Sequence, residues 1–201
     1  MSVVHRTGTW IAEYAAAHGL KYELDADERW LRAWEPYVTL KTPTRYAHAL
    51  SSTGSGGSLT IARFSVPAEA MGPGDAAATP EVSAWIVIAQ DVRMTGRAAT
   101  TSDPGRIFSE GPELVSVPRR TTGDAAFDRV FSSFAPSEAE LDAAITPSSR
   151  KLLLGWRIAV HVEVRPGGFI VAPVALPADP TSLSWLVSAV HVFGDKAAKR
   201  P

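Results

Sequence analysis

The sequence predicts an α+β fold: a mostly antiparallel sheet with helices packed on one face and a helix near each end of the chain. Residues 156–165 alternate apolar and polar side chains, which is typical of a half-buried strand. A Pro-Gly-Gly turn then leads into a second apolar strand over 169–174. Within residues 83–92, the run 84–89 is apolar at consecutive positions, which indicates a central strand covered on both faces. Together these patterns predict a sheet covered by helices.

The N-terminal part of the chain is predicted to begin with a helix capped by Thr9 and ended by Gly19. An alternating strand follows over 20–24. A second short helix, capped by Asp27, would carry Trp30 and Trp34 on one side.

The middle of the chain contains two strands, over 46–50 and 59–66, joined by a Gly/Ser-rich hairpin connection. Residues 67–80 form an Ala/Gly/Pro loop in this interpretation. Residues 93–124 are rich in glycine and proline, and they are expected to form a long surface connection or a pair of edge elements. The loops 67–80 and 93–111 are predicted to be the loosest internal segments.

The last third carries clear helix signals. Ser137 and Glu140 have the spacing of a capping box. Thr146 precedes a first-turn proline and starts a helix that Gly155 is expected to close. The final helix starts at Asp179–Pro180 and is predicted to end at Gly194.

These elements suggest a single α+β domain over 1–195, with 121–194 as its best-defined C-terminal module and 196–201 as a flexible tail. In the hairpin over 156–174, strand alternation places Trp156 and Val160 inward and His161 outward.

Composition excludes several functional classes. The formal net charge of −1 argues against nucleic acid as a partner, since phosphate binding requires a basic excess. The absence of cysteine removes disulfides, thiol nucleophiles and cysteine metal sites. No apolar run approaches the length of a membrane-spanning helix, and no signal peptide is evident. We therefore expect a cytoplasmic protein without membrane insertion.

Four residues are the candidates for chemistry: Asp124, Asp128, His161 and Glu163. His161 and Glu163 lie two residues apart on a strand and share a face, a geometry that suits a metal site or an acid–base pair. Arg157 and Arg165 share that alternation, so a charged and solvated sheet face is the preferred interpretation. No bound metal and no cofactor are predicted.

Two tryptophans are the candidates for binding. Trp30 and Trp34 could form an exposed aromatic patch, because tryptophan is enriched at interaction hot spots. Packing at one end of the core is the alternative for this pair.

The segment 123–131 contains the pattern Gly-Asp-x-x-Phe-Asp-x-x-Phe. With the Thr-Pro and Arg-x-x-Leu segments that follow it, this pattern resembles an uncharacterised bacterial protein family over about the last 75 residues. The resemblance supports the fold and implies no catalytic residues.

Spacing in the same segment makes Phe127, Val130, Phe131 and Phe134 core anchors if it is helical. Asp124 is expected to cap or turn the backbone. Asp128 is expected to pair with Arg150 as a structural tie.

The preferred function is a noncatalytic binding or accessory domain for a protein or small-molecule partner. It rests on the lack of a titratable cluster, metal-ligand spacing or phosphate loop. One alternative is an enzyme of unrecognised type, with a hydrolase using the Asp, His and Glu candidates as the example. Another is a structural subunit of a bacterial assembly.

Overall fold

The structure, a computed structural model, describes residues 4–25, 45–54, 57–67, 81–102, 117–173 and 175–198. The described elements, in chain order, are α1 (Val4–Ala17), β1 (Lys21–Asp25), β2 (Arg45–Gly54), β3 (Gly57–Pro67), β4 (Glu81–Asp91), β5 (Ala98–Thr101), β6 (Arg119–Arg120), α2 (Ala125–Val130), β7 (Ser132–Phe134), α3 (Glu138–Ala144), α4 (Pro147–Trp156), β8 (Val160–Arg165), β9 (Gly168–Pro173) and α5 (Pro180–Ala198).

The nine strands in these ranges form one sheet, in the order β1-β2-β3-β4-β9-β8-β5-β7-β6. Every neighbouring pair is antiparallel. Side chains of all five described helices join one sheet face in a single apolar core. The predicted α+β class, with helices on one face and near both ends, is confirmed. The domain boundaries stay a prediction.

Trp85 of β4 lies at the centre of this core and is fully buried. Its ring meets Trp10 of α1 edge to face, with 6.4 Å between ring centroids, and the Arg63 guanidinium lies 4.9 Å from the Trp85 ring centroid. The indole N–H donates to the carbonyl oxygen of Pro177 at 3.2 Å. A buried tryptophan needs such an acceptor, so the contact also ties the segment before α5 to the sheet.

The prediction that β4 is covered on both faces is confirmed. Trp85, Val87 and Ala89 belong to the helix-covered core, whereas Ile86 and Ile88 alternate with them on the opposite face and are also buried. β4 is therefore a central strand with both faces buried, rather than a strand with one face exposed to solvent.

The predicted helix starts in the last third are confirmed. The hydroxyl of Ser137 accepts a hydrogen bond from the Glu140 backbone N–H at 3.2 Å. The Thr146 hydroxyl caps α4 in the same way, and Asp179 accepts from Ser182 ahead of α5. The second hydrogen bond of the predicted capping box is wrong. The Glu140 carboxylate accepts from the Arg97 backbone N–H at 2.7 Å instead of from the backbone N–H of Ser137.

The predicted strand over 156–165 begins too early. Trp156 is the last residue of α4, and the helix is ended by Arg157, which adopts the left-handed conformation at φ 54°. The strand itself starts at Val160. Trp156 is only partly buried and packs on the core from outside the sheet. The alternation of apolar and polar residues continues by chance through 156–159, because helix and strand patterns can agree over short windows.

Two other helix ends were predicted wrongly. α1 starts at Val4, so Thr9 lies within the helix instead of capping it. α5 continues through Gly194 to Ala198. Gly194 is buried, and a Cβ placed on it would lie 3.4 Å from the Phe169 ring, so this glycine lets the helix pack closely on β9.

The segment 93–124 contains more structure than a surface connection. β5 lies inside the sheet between β8 and β7, and Met94 and Ala98 are buried. β6 does lie at the edge of the sheet, so the alternative of a pair of edge elements is wrong for β5. Short strands without strong alternation are hard to predict, because their burial comes from distant neighbours. Residues 26–44, 68–80 and 103–116 lie outside the described residues, and with them the predicted helix carrying Trp30 and Trp34.

Candidate functional site

A surface cleft of about 330 Å³ lies where the turn end of the β2–β3 hairpin and the end of β4 meet the second half of α5. Its volume is within the range of small-molecule sites. Apolar side chains form part of the lining: Leu59, Ala89, Phe169 and Val190. The polar and charged lining includes Ser58, Gln90, Asp91, Arg93, His191 and Asp195.

Arg93 binds acidic residues on two different elements that line the cleft. Its guanidinium binds the Asp91 carboxylate at 2.7 Å and 2.9 Å and the Asp195 carboxylate at 3.1 Å. Hydrogen bonds from Arg93 hold the pKa of Asp91 below its ordinary value, and those bonds raise the pKa of Arg93 in turn. Asp91 is therefore a carboxylate at neutral pH, with its charge already used in an ion pair.

The turn that carries Arg93 is fixed from several sides. Met94 is buried, its N–H donates to the Asp91 carbonyl at 3.1 Å, and its carbonyl accepts from the Gly167 N–H at 3.0 Å. The Asp91 N–H donates to the Gly167 carbonyl at 2.9 Å. Between these anchors Val92 points outward and is 83% exposed. Val92 thus lies between two residues that line the cleft, Asp91 and Arg93.

His161 and Glu163 are brought together, but in the interior. Their side chains meet at 2.9 Å between Nε2 and Oε1, and the residues are only 1% and 5% exposed. Burial raises the pKa of Glu163, and the contact with His161 opposes that rise.

The prediction that His161 faces solvent is therefore wrong, although Val160 does face the helix-covered core. β8 lies between β9 and β5 in the sheet, and its burial extends to both faces. The alternation in the sequence separates the two faces correctly but does not reveal that both are covered.

Asp124 directly precedes α2 and Asp128 lies on it, and this helix packs on the opposite sheet face from His161. The Asp124 carboxylate accepts from the backbone N–H groups of Ala126 and Phe127, so it is the predicted N-cap. The four candidates for chemistry thus do not form one site. Within the described ranges, no three acidic or histidine side chains are grouped so that they could hold a metal ion.

The predicted pair of Asp128 with Arg150 is wrong in its detail. Asp128 accepts from the backbone N–H of Thr122 at 3.0 Å and from its hydroxyl at 2.9 Å. Arg150 donates to the carbonyl oxygen of the same Thr122. The two charged residues therefore hold one backbone segment from both sides instead of bonding to each other.

We expect Asp128→Asn and Arg150→Gln each to lower the free energy of unfolding by about 1–3 kcal/mol, the usual cost of losing a charged hydrogen bond. The double variant should lose less than the sum, since both changes release Thr122. Chemical denaturation of the four proteins measures this. Asp142→Asn is the control, because Asp142 is exposed and its nearest contact with Arg150 is 3.8 Å. A stabilised Asp128→Asn variant would instead favour a catalytic role for this aspartate.

The cleft residues were not among the sequence candidates. Asp91 and Arg93 are two residues apart and give a weak local signal, but Asp195 lies 102 positions from Arg93. Only folding brings these charges together. Trp30 and Trp34 lie outside the described residues, so their binding role stays a prediction.

No family model matches the chain, and no curated protein matches its sequence. A solved structure does share its architecture. The fold is similar to that of TtfA. The crystal structure of this mycobacterial trehalose monomycolate transport factor A matches with a TM-score of 0.63 and 13% sequence identity, over 97% of each chain. At this identity, TtfA supports the fold alone. The resemblance of segment 123–131 to an uncharacterised bacterial family stays a prediction. None of the described helices is both long and apolar enough to cross a membrane.

Proposed function

We propose that this chain is a noncatalytic binding domain with an accessory role, and that the cleft between the β2–β3 hairpin and α5 contacts its protein or small-molecule partner. The arrangement of Arg93 carries the proposal. Its guanidinium is bound to the carboxylates of Asp91 and Asp195, so the charges around the cleft are already paired within the protein.

Such pairing suits recognition better than acid–base chemistry. A general base works best with a pKa near the operating pH, whereas hydrogen bonds from Arg93 lower the pKa of Asp91. A rigid, ion-paired rim beside apolar lining is instead typical of a preformed contact surface. Val92 extends that surface, because it is exposed next to the Arg93 turn.

The comparison with TtfA supports the accessory part of the proposal. TtfA is described as a transport factor for trehalose monomycolate. A protein with a similar fold is thus named as a factor in a transport process, and an accessory role for the present chain is consistent with that. The substrate of TtfA is not carried over.

Site-specific photo-crosslinking in the native cell tests the proposal. A photoreactive residue at Val92 should give a discrete adduct, seen by gel electrophoresis for a protein or by intact mass for a small molecule. The same residue at Val130 is the matched control, since this valine is also exposed but lies on α2. The absence of an adduct at Val92, or the same adduct at both positions, would contradict the assignment of the partner surface to this cleft.

A further inference from the structure

A second concave surface, separate from the cleft, lies between α4 and α5. One face of α4 lines it with Ser148, Lys151, Leu152 and Gly155, which follow the i, i+3, i+4, i+7 spacing of a helix face. Trp156 and Lys196 complete the lining, and the volume is about 560 Å³. We call this surface the α4–α5 groove.

The apolar part of the groove is held rigidly. Trp156 meets Trp185 edge to face at 5.6 Å between ring centroids and lies 6.2 Å from the Phe193 ring. These contacts fix the indole, while Trp156 and Leu152 remain only partly buried. Gly155 adds open space, because a Cβ placed there would meet no atom within 4 Å. The groove thus offers a preformed apolar floor.

The charge of the groove is positive, although the chain as a whole carries a formal net charge of −1. Among the lining residues that the structure describes, Lys151 and Lys196 carry charge and none is acidic. Across the described part of the chain, neither lysine forms an ion pair. Two ammonium groups beside apolar surface are complementary to a ligand with an anionic head and an apolar body.

We propose that the α4–α5 groove binds a single-chain anionic amphiphile of the fatty-carboxylate class, with its carboxylate at Lys151 and Lys196 and its hydrocarbon chain against Leu152 and Trp156. The volume lies within the usual range of small-molecule sites. An extended acidic peptide fits less well, because its backbone N–H and C=O groups need partners, and Ser148 carries the one hydroxyl in the lining that the structure describes.

Isothermal titration of the full chain with decanoate, kept below its micellar concentration, tests this proposal. We expect one-to-one binding of decanoate and at least about tenfold weaker binding of decylammonium, which has the same chain and the opposite charge. The double variant Lys151→Gln/Lys196→Gln should weaken decanoate binding by about tenfold or more. Gly155→Met should abolish it by filling the groove, without lowering the melting temperature, since methionine is a better helix former than glycine.

Gly54→Ala is the matched control, because Gly54 lines the other cleft and a Cβ there meets no atom within 4 Å. This variant should bind decanoate like the parent chain. Equal affinity for decanoate and decylammonium, or decanoate binding that survives the double lysine variant, would overturn the proposal. So would the binding of hexaglutamate in place of decanoate, which would indicate an acidic protein partner. If Gly155→Met fails to fold, the lysine variant still decides. The outcome does not bear on the proposed function, because the groove and the cleft have different linings.

Discussion

Truncation of Phe127 to alanine is expected to lower the free energy of unfolding by about 3–5 kcal/mol, the range observed for large aromatic side chains in protein cores. Phe127 is 0% exposed and belongs to the main core. Its ring stacks on Phe131 with 4.5 Å between centroids and 9° between ring planes. The variant would leave a cavity beside Phe131 that the helix α2, capped at Asp124, is poorly placed to fill.

Urea denaturation, followed by the circular dichroism of the sheet, measures this effect. Val130→Ala is the control on the same helix, because Val130 is 50% exposed and its change should stay within about 0.5 kcal/mol. The helical spacing in the sequence predicts that both Phe127 and Val130 are buried in the core. The two variants therefore test whether Val130 is exposed, as in the structure, or buried, as the spacing predicts. Equal losses in the free energy of unfolding for the two variants would contradict the packing of α2 described above.

Gly96→Ala is expected to destabilise the protein by at least about 1–3 kcal/mol, the typical cost of overpacking a well-packed interior. A Cβ at this position would lie 2.4 Å from the Ala144 nitrogen and 2.7 Å from both the Ala143 carbonyl carbon and the Glu140 oxygen. These are backbone atoms of α3, so no side-chain rotation relieves the clash. The loop before β5 and the helix α3 would have to move apart, which would also weaken the hydrogen bond from the Arg97 backbone N–H to Glu140.

Gly155→Ala is the matched control, since it makes the same chemical change in open space near the end of α4. It should raise stability by up to about 1 kcal/mol, because alanine favours the helix more than glycine does. Thermal melts of the two variants and the parent give the comparison. A neutral Gly96→Ala variant would mean that the loop does not approach α3 so closely.

The helix caps could be predicted because each depends on residues only a few positions apart. Asp124, Ser137, Thr146 and Asp179 all accept from a backbone N–H two or three residues further along the chain. The physics of such contacts is complete within one turn of helix. Phe127 and Phe131 were identified as core anchors for a similar reason, whereas Val130, which shares their predicted helical spacing, is 50% exposed.

The fold class was predictable because strand alternation, turn residues and helix patterns are local properties of the chain. The sequence by itself thus determined that an antiparallel sheet carries helices on one face. Only the tertiary structure decided that β8 is covered on both faces, which buries His161 and Glu163. It also decided that Arg93 meets Asp195 across 102 positions to form the charged rim of the cleft. Burial and ion pairing of this kind depend on which distant segments become neighbours, and no local pattern encodes that.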